Sequence, residues 1–230
     1  MIPLHDDNPT RIVPIFTIGL IVLCVLTFLW QLSFGTAMQN VVYSLGATPA
    51  ILFGHYDLPA EMVRVPDWMT AITSMFLHGG WMHLLGNMLY LWIFGNNIED
   101  AMGHIRFIIF YLLCGLVALF ANALPDTSST IPMIGASGAI SGVLGAYLLL
   151  FPRARVLVAI PLGFFIYTIR LPAVWVLGFW FVLQLINTAI NTGNEGGGVA
   201  WLAHVGGFVA GVVLIPFFKH SSVKLFAPRR

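Results

Sequence analysis

The sequence predicts an all-α fold, a polytopic membrane protein whose six transmembrane helices form a single domain over residues 1–230. Composition is the first reason. Hydrophobic residues make up 59% of the chain and charged residues only 8%, where a soluble domain carries roughly 25% charged residues. The second reason is six apolar runs, most of them near the 18–23 residues needed to cross a hydrocarbon core of roughly 30 Å. The third is where the cations fall. Six crossings put both termini on one side. Arg11, Arg106, Arg153, Arg155, Arg170, Lys219, Lys224, Arg229 and Arg230 then share that side, and Arg64 stands alone on the other. This asymmetry makes the termini cytoplasmic and places the chain in the cell membrane.

Each element follows in order. The polar N-terminal segment, residues 1–11, shows no cleavable signal pattern, so the first run, Ile12–Phe34, reads as a signal anchor. A long outer loop, Gly35–Gly80, holds Pro59 and Pro66. It reads either as a segment lying partly in the membrane interface or as an ordinary outer loop. The remaining runs are Trp81–Asn96, Ile105–Ala123, Ile134–Phe151, Pro172–Ile190 and Val199–Phe218. Between the last two lies a glycine-rich loop with Gly193, Gly196, Gly197 and Gly198, which reads either as a moving lid or as a passive connector. A basic cytoplasmic tail, residues 219–230, closes the chain; its few cations make at most a weak contact with anionic lipid. Cys24 and Cys114 fall inside apolar runs and read as buried hydrophobes. No metal ligand set, cofactor motif or nucleic-acid signature is predicted, and oligomeric state is not legible.

All nine acids fall outside the runs. The polar side chains inside them are therefore few and informative, because lipid leaves such groups unsatisfied. Gln31 and Gln184 read as interhelical hydrogen-bonders. His83 and Asn87 lie near the outer start of the second run, Ser137 near that of the fourth, and His204 near that of the sixth. Three segments remote in sequence thus place polar groups at one shallow depth below one face. Packing does not require that coincidence, and a site does. His83 and Asn87 are four apart and share a helix face. His204, Gly207 and Gly211 also share one. Gly207-x-x-x-Gly211 admits close approach of a second backbone, and Gly138-x-x-x-Gly142 is its natural partner. Contact between the two pairs would bring Ser137 to His204.

On the segments "HGGWMHLLGN" (His78–Asn87), "GASG" (Gly135–Gly138) and "AHVGGFVAG" (Ala203–Gly211), with "GNNIEDAMGHIRFIIFYLLCG" (Gly95–Gly115), the sequence resembles the rhomboid family of intramembrane serine proteases. The resemblance implies a rhomboid-like bundle that hydrolyses peptide bonds of membrane-anchored proteins, within or beside a transmembrane segment, without a metal or cofactor. It implies Ser137 as nucleophile, His204 as general base, and His83 and Asn87 as oxyanion-stabilising side chains, with the active site opening to the non-cytoplasmic side. Two positions depart from the family pattern. Trp68-Met69-Thr70 stands where a Trp-Arg pair is common, and Ser141 where an aromatic often packs on the histidine.

The chemistry is self-consistent. A serine hydroxyl needs a base to take its proton, and imidazole titrates near neutrality. No run supplies a carboxylate to orient that imidazole. Asp57, Glu61, Asp67, Asp126 and Glu195 in outer loops are the remaining sources. A Ser137–His204 dyad, its histidine held by packing and small polar contacts, is the expectation. His78 and Ser141 read as structural, and Glu99-Asp100 as a loop or helix-end contact. Three other classes remain open at this level. They are a metalloprotease using His78, His83 and His204, which lacks an H-E-x-x-H arrangement; a rhomboid-like protein that binds transmembrane helices without cutting; and a small-molecule transporter, which lacks a charged pathway.

Overall fold

The computed structural model describes residues 1–163, 165–191 and 200–226. The chain is mostly helical. In order it forms strand β1 (Ile2–Asp6), helices α1 (Ile15–Leu32), α2 (Met38–Leu45), α3 (Pro49–Leu52), α4 (Thr70–Thr73), α5 (Trp81–Tyr90), α6 (Asn96–Met102), α7 (His104–Ala123) and α8 (Ser137–Leu150), strands β2 (Arg155–Leu162) and β3 (Phe165–Pro172), and helices α9 (Ala173–Asn191) and α10 (Trp201–Phe218). Among the described residues four helices are long and apolar enough to cross a membrane: Ile15–Leu32, His104–Ala123, Ala173–Ile190 and Trp201–Phe218. Each buries one stripe and leaves apolar side chains outward. In α1 the stripe is Thr17, Leu20, Cys24, Phe28 and Gln31, while Val22, Leu26 and Leu29 are exposed. That arrangement suits a helix with lipid on its outer face.

The other two apolar runs take different forms. The second is helical beyond its expected end at Asn96. A π-helical turn over Leu91–Gly95 joins α5 to α6. The added residue per turn rotates the polar stretch inward, so Asn97 and Glu99 are buried. The fourth run is shorter than expected. Helix α8 has 14 residues, about 21 Å of rise, and it is the innermost helix, packed between α7 and α10. Its start follows a non-helical lead-in.

A three-stranded antiparallel sheet, ordered β1-β2-β3, corrects the all-α expectation. Residues 155–172 fold as a hairpin with Arg155 opposite Pro172 and Leu162 opposite Phe165, Gly163 adopting a left-handed φ of +62°. The N-terminal segment, expected as a plain polar lead, supplies β1, with Ile2 opposite Ala159 and Asp6 opposite Val156. Its acids are structural. Asp6 Oδ2 accepts the Tyr147 hydroxyl at 2.5 Å, and Asp7 Oδ1 accepts the Arg155 N–H at 2.7 Å.

Glu99 and Asp100, expected in a loop or helix-end contact, make one of each: Glu99 meets the start of α1 and Asp100 the loop before it. Fully buried Glu99 accepts the N–H groups of Phe16 and Thr17 at 3.0 and 2.8 Å, the Thr17 hydroxyl at 2.7 Å and His104 Nδ1–H at 2.6 Å. Asp100 accepts the N–H groups of Arg11 and Ile12. Glu99 thereby satisfies donors that the start of α1 cannot bond within the helix, and Asp100 binds the loop just before it.

The long first loop packs onto the lead-in to α8. Ala47 and Met133 exchange backbone hydrogen bonds, Ala50 N–H donates to Ser129 O, and Gly135 N–H donates to Ser74 O at 2.9 Å. The glycine-rich loop carrying Gly193, Gly196, Gly197 and Gly198, together with Glu195, Arg229 and Arg230, lies outside the described residues.

Candidate active site

The site is assembled where α8 begins. Gly135 holds φ at +116°, a conformation that favours glycine, and a Cβ there would stand 2.6 Å from His83 Nε2. The chain then turns into α8 with Ser137 as its first residue. The first backbone N–H groups of that helix have no intrahelical acceptor.

Helix α10 approaches α8 through glycines. A Cβ on Gly207 would overlap the carbonyl oxygen of Gly138, and one on Gly211 would overlap that of Gly142. Gly142 in turn lies against Cys114 of α7, and Gly138 against Ala118. With side chains absent from this seam, the backbones meet. His204, one turn before Gly207, then reaches Ser137: the hydroxyl donates to His204 Nε2 at 2.8 Å.

The imidazole is held on its other side by α9. His204 Nδ1–H donates to Gln184 Oε1 at 2.8 Å, and Gln184 Nε2–H donates to the Trp180 carbonyl at 3.2 Å. The Trp180 ring lies 6.0 Å from the imidazole at 37°, and Trp201 stands edge-on at 6.1 Å. Packing expected from an aromatic at position 141 thus comes from α9 instead. Ser141 donates to the Ser137 carbonyl at 2.6 Å, an i−4 bond within its own helix.

Helix α5 supplies the opposite wall. His83 Nδ1 accepts the Gly79 N–H at 3.3 Å, so in the neutral ring Nε2 carries the proton and is a donor. Asn87 is buried, and its Nδ2 has no hydrogen-bond partner among the described residues. Both line a cavity of about 820 Å³ shared with Ser137, His204, Trp180 and Met82. His78 sits behind this wall, its ring 5.1 Å from His83. Gln31 brackets its backbone, accepting from His78 N–H at 3.0 Å and donating to His78 O at 3.3 Å. Burial, and then the neighbouring His83, push the His78 imidazole down to about 4, so it remains neutral at physiological pH. Among the described residues no group of three or more His, Cys, Asp or Glu side chains is placed to hold a metal ion.

Ser137, His204, His83 and Asn87 therefore share one cavity, and Gly138, Gly142, Gly207 and Gly211 form the seam beneath it. The contact of Gln184 with His204 was missed from sequence. The signal was present: Gln184 lies about as far below the outer end of its run as His204 lies below the start of the next.

A family model described as the Rhomboid domain matches residues 65–221. Rhomboid protein 1, mitochondrial, of Saccharomyces cerevisiae is 31% identical over 195 residues, covering 78% of this chain and 54% of that protein. Rhomboid protease GluP of Bacillus subtilis is 31% identical over 202 residues, covering 87% of this chain and 35% of that protein. The putative rhomboid protease YdcA of the same organism is 27% identical over 191 residues, 77% of this chain and 87% of that protein. The chain spans about half, or less, of the length of the first two relatives.

Proposed function

Since the chain belongs to the rhomboid family, we propose that it is an intramembrane serine endopeptidase that cleaves membrane-anchored proteins within or beside a transmembrane segment. The observation that carries this reading is the 2.8 Å hydrogen bond between Ser137 and His204 in a cavity lined by an unpartnered donor, Asn87 Nδ2.

In this mechanism Ser137 Oγ attacks the scissile carbonyl carbon while His204 Nε2 takes the hydroxyl proton. The carbonyl oxygen becomes an oxyanion. Asn87 Nδ2, His83 Nε2 and backbone N–H groups at the start of α8 donate to it. The tetrahedral intermediate collapses, the C–N bond breaks, and the His204 proton passes to the leaving amine. Water then enters the cavity, loses a proton to His204 and attacks the acyl-enzyme. The carboxylate product leaves and Ser137 recovers its proton. A helical substrate hides its carbonyl carbons, so it must unwind before attack, and helix-breaking residues near its outer end favour cleavage.

The same reading includes six membrane crossings, with α5–α6 and α8 completing the set, both termini cytoplasmic and the cavity facing the non-cytoplasmic side of the cell membrane. The shortness of α8 supports it: about 21 Å of helix does not fill a hydrocarbon core of roughly 30 Å, which leaves room for a water-filled cavity at the Ser137 end. A non-catalytic binder of transmembrane helices would leave the Ser137–His204 contact and the orphan Asn87 donor without a purpose. The test is reconstitution in liposomes with a membrane-anchored reporter, comparing the parent with Ser137→Ala and His204→Ala. Cleavage by the parent alone is expected. Equal cleavage by all three would sink the assignment.

A further inference from the structure

The bond from His204 to Gln184 has a direction, and the direction has chemical content. Gln184 Nε2–H is committed to the Trp180 carbonyl one helical turn earlier in α9. That leaves Oε1 facing His204 Nδ1 at 2.8 Å. An amide oxygen only accepts, so Nδ1 must carry the hydrogen. A neutral imidazole has one N–H, so Nε2 presents its lone pair to the Ser137 hydroxyl, 2.8 Å away. The other tautomer would set two acceptors against each other at Nδ1, and its Nε2–H would donate to the serine oxygen, leaving no lone pair to take the serine proton.

We propose that Gln184 is a positioning residue, holding His204 in the one tautomer and ring orientation in which it can accept the serine proton. The role rests on the protease reading above. It supplies what an orienting carboxylate supplies in a triad, with a neutral group in place of a charge. That choice suits the position, because an ionised side chain inside a membrane helix is costly. Trp180 serves twice, its carbonyl fixing the amide and its ring packing beside the imidazole.

The test uses the full chain in liposomes with the membrane-anchored reporter, reading kcat and KM separately, with thermal unfolding as a control. Gln184→Met keeps the bulk and removes the acceptor. It is expected to lower kcat on the order of 10-fold or more, inside the 10²–10⁴ that a positioned base contributes in total, with KM and Tm near parental. Gln184→Glu keeps a carboxyl oxygen that accepts from Nδ1–H even in its neutral form and is expected to recover most of the lost kcat. Retained kcat in Gln184→Met would overturn the proposal. So would a loss of kcat in Gln184→Glu as large as that in Gln184→Met at parental Tm. Should Gln184→Met fail to fold, Gln184→Leu takes its place: a kcat loss of 10-fold or more in folded protein supports the role and retained kcat overturns it. Failure of the protease reading shows separately, as a parent no more active than Ser137→Ala, and takes the positioning role with it.

Discussion

Asn87 Nδ2 has no protein acceptor among the described residues and lines the cavity that holds Ser137, so it is available to an oxyanion formed there. Asn87→Ala should therefore separate function from folding. Turnover of the reporter is expected to fall by a factor on the order of 10², the scale of a lost oxyanion donor, while Tm holds. A parallel loss of Tm and turnover would make Asn87 a packing residue instead. At this scale much of the candidate site was legible in the sequence. Ser137, His204, His83 and Asn87 stood out because lipid-facing runs contain so few polar groups, and shared depth tied them together. Gln184 was read only as a generic interhelical bonder because its partner lies across a loop, at a distance that no helical period encodes. Trp180 was hidden among neighbouring aromatics, in a run where another bulky side chain carries no signal.

Strand β1 reaches helix α8 through a buried pair, and that pair has a pH signature. Burial pushes the Asp6 carboxyl up to about 6, against the Tyr147 hydroxyl bond, which lowers it. The folded chain thus holds a proton at Asp6 more tightly than the unfolded chain does. The stability this contributes is fully present below the ordinary carboxylate value of 3.8 and is lost as pH rises through about 6. The loss amounts to at most ~3 kcal/mol. Asp6→Asn keeps an oxygen for Tyr147 and cannot ionise, so its Tm advantage over the parent should grow between about pH 4 and pH 7. Melting curves in detergent across that range check it, and a difference independent of pH would remove Asp6 as the source. The sheet that positions this pair was the least legible part of the fold. In β2 and β3 apolar residues run on without clean alternation, which resembles loop or helix ends beside membrane runs. Its third strand comes from residues about 150 positions away, so no local pattern announces the pairing. The long helices were legible because a crossing demands length and apolarity together. The second run hid its true end, since Asn97 and Glu99 look like an exit from lipid and are instead turned inward by the π-helical turn.

Orientation is the property of the whole molecule on which the proposed chemistry depends, because the cavity must face water on one chosen side. Nine cations against one argue for cytoplasmic termini. The fold adds a mechanical reason for Ser137 to open to the other side: the lead-in to α8 is tied to the first loop through Ala47–Met133 and Gly135–Ser74, so site and loop must share a face. The two native cysteines are buried, which gives a low background for thiol labelling. Ala60, exposed in the first loop, and Lys224, exposed beyond α10, then report the two faces. In intact cells a membrane-impermeant maleimide is expected to label Ala60→Cys, and to label Lys224→Cys only after permeabilisation. Labelling of Lys224→Cys in intact cells would invert the chain, and with it the compartment from which substrates and water reach Ser137. Labelling of both would break the even number of crossings, placing the first loop and the C-terminal segment on one face and requiring one of the two short elements, α5–α6 or α8, to return without crossing.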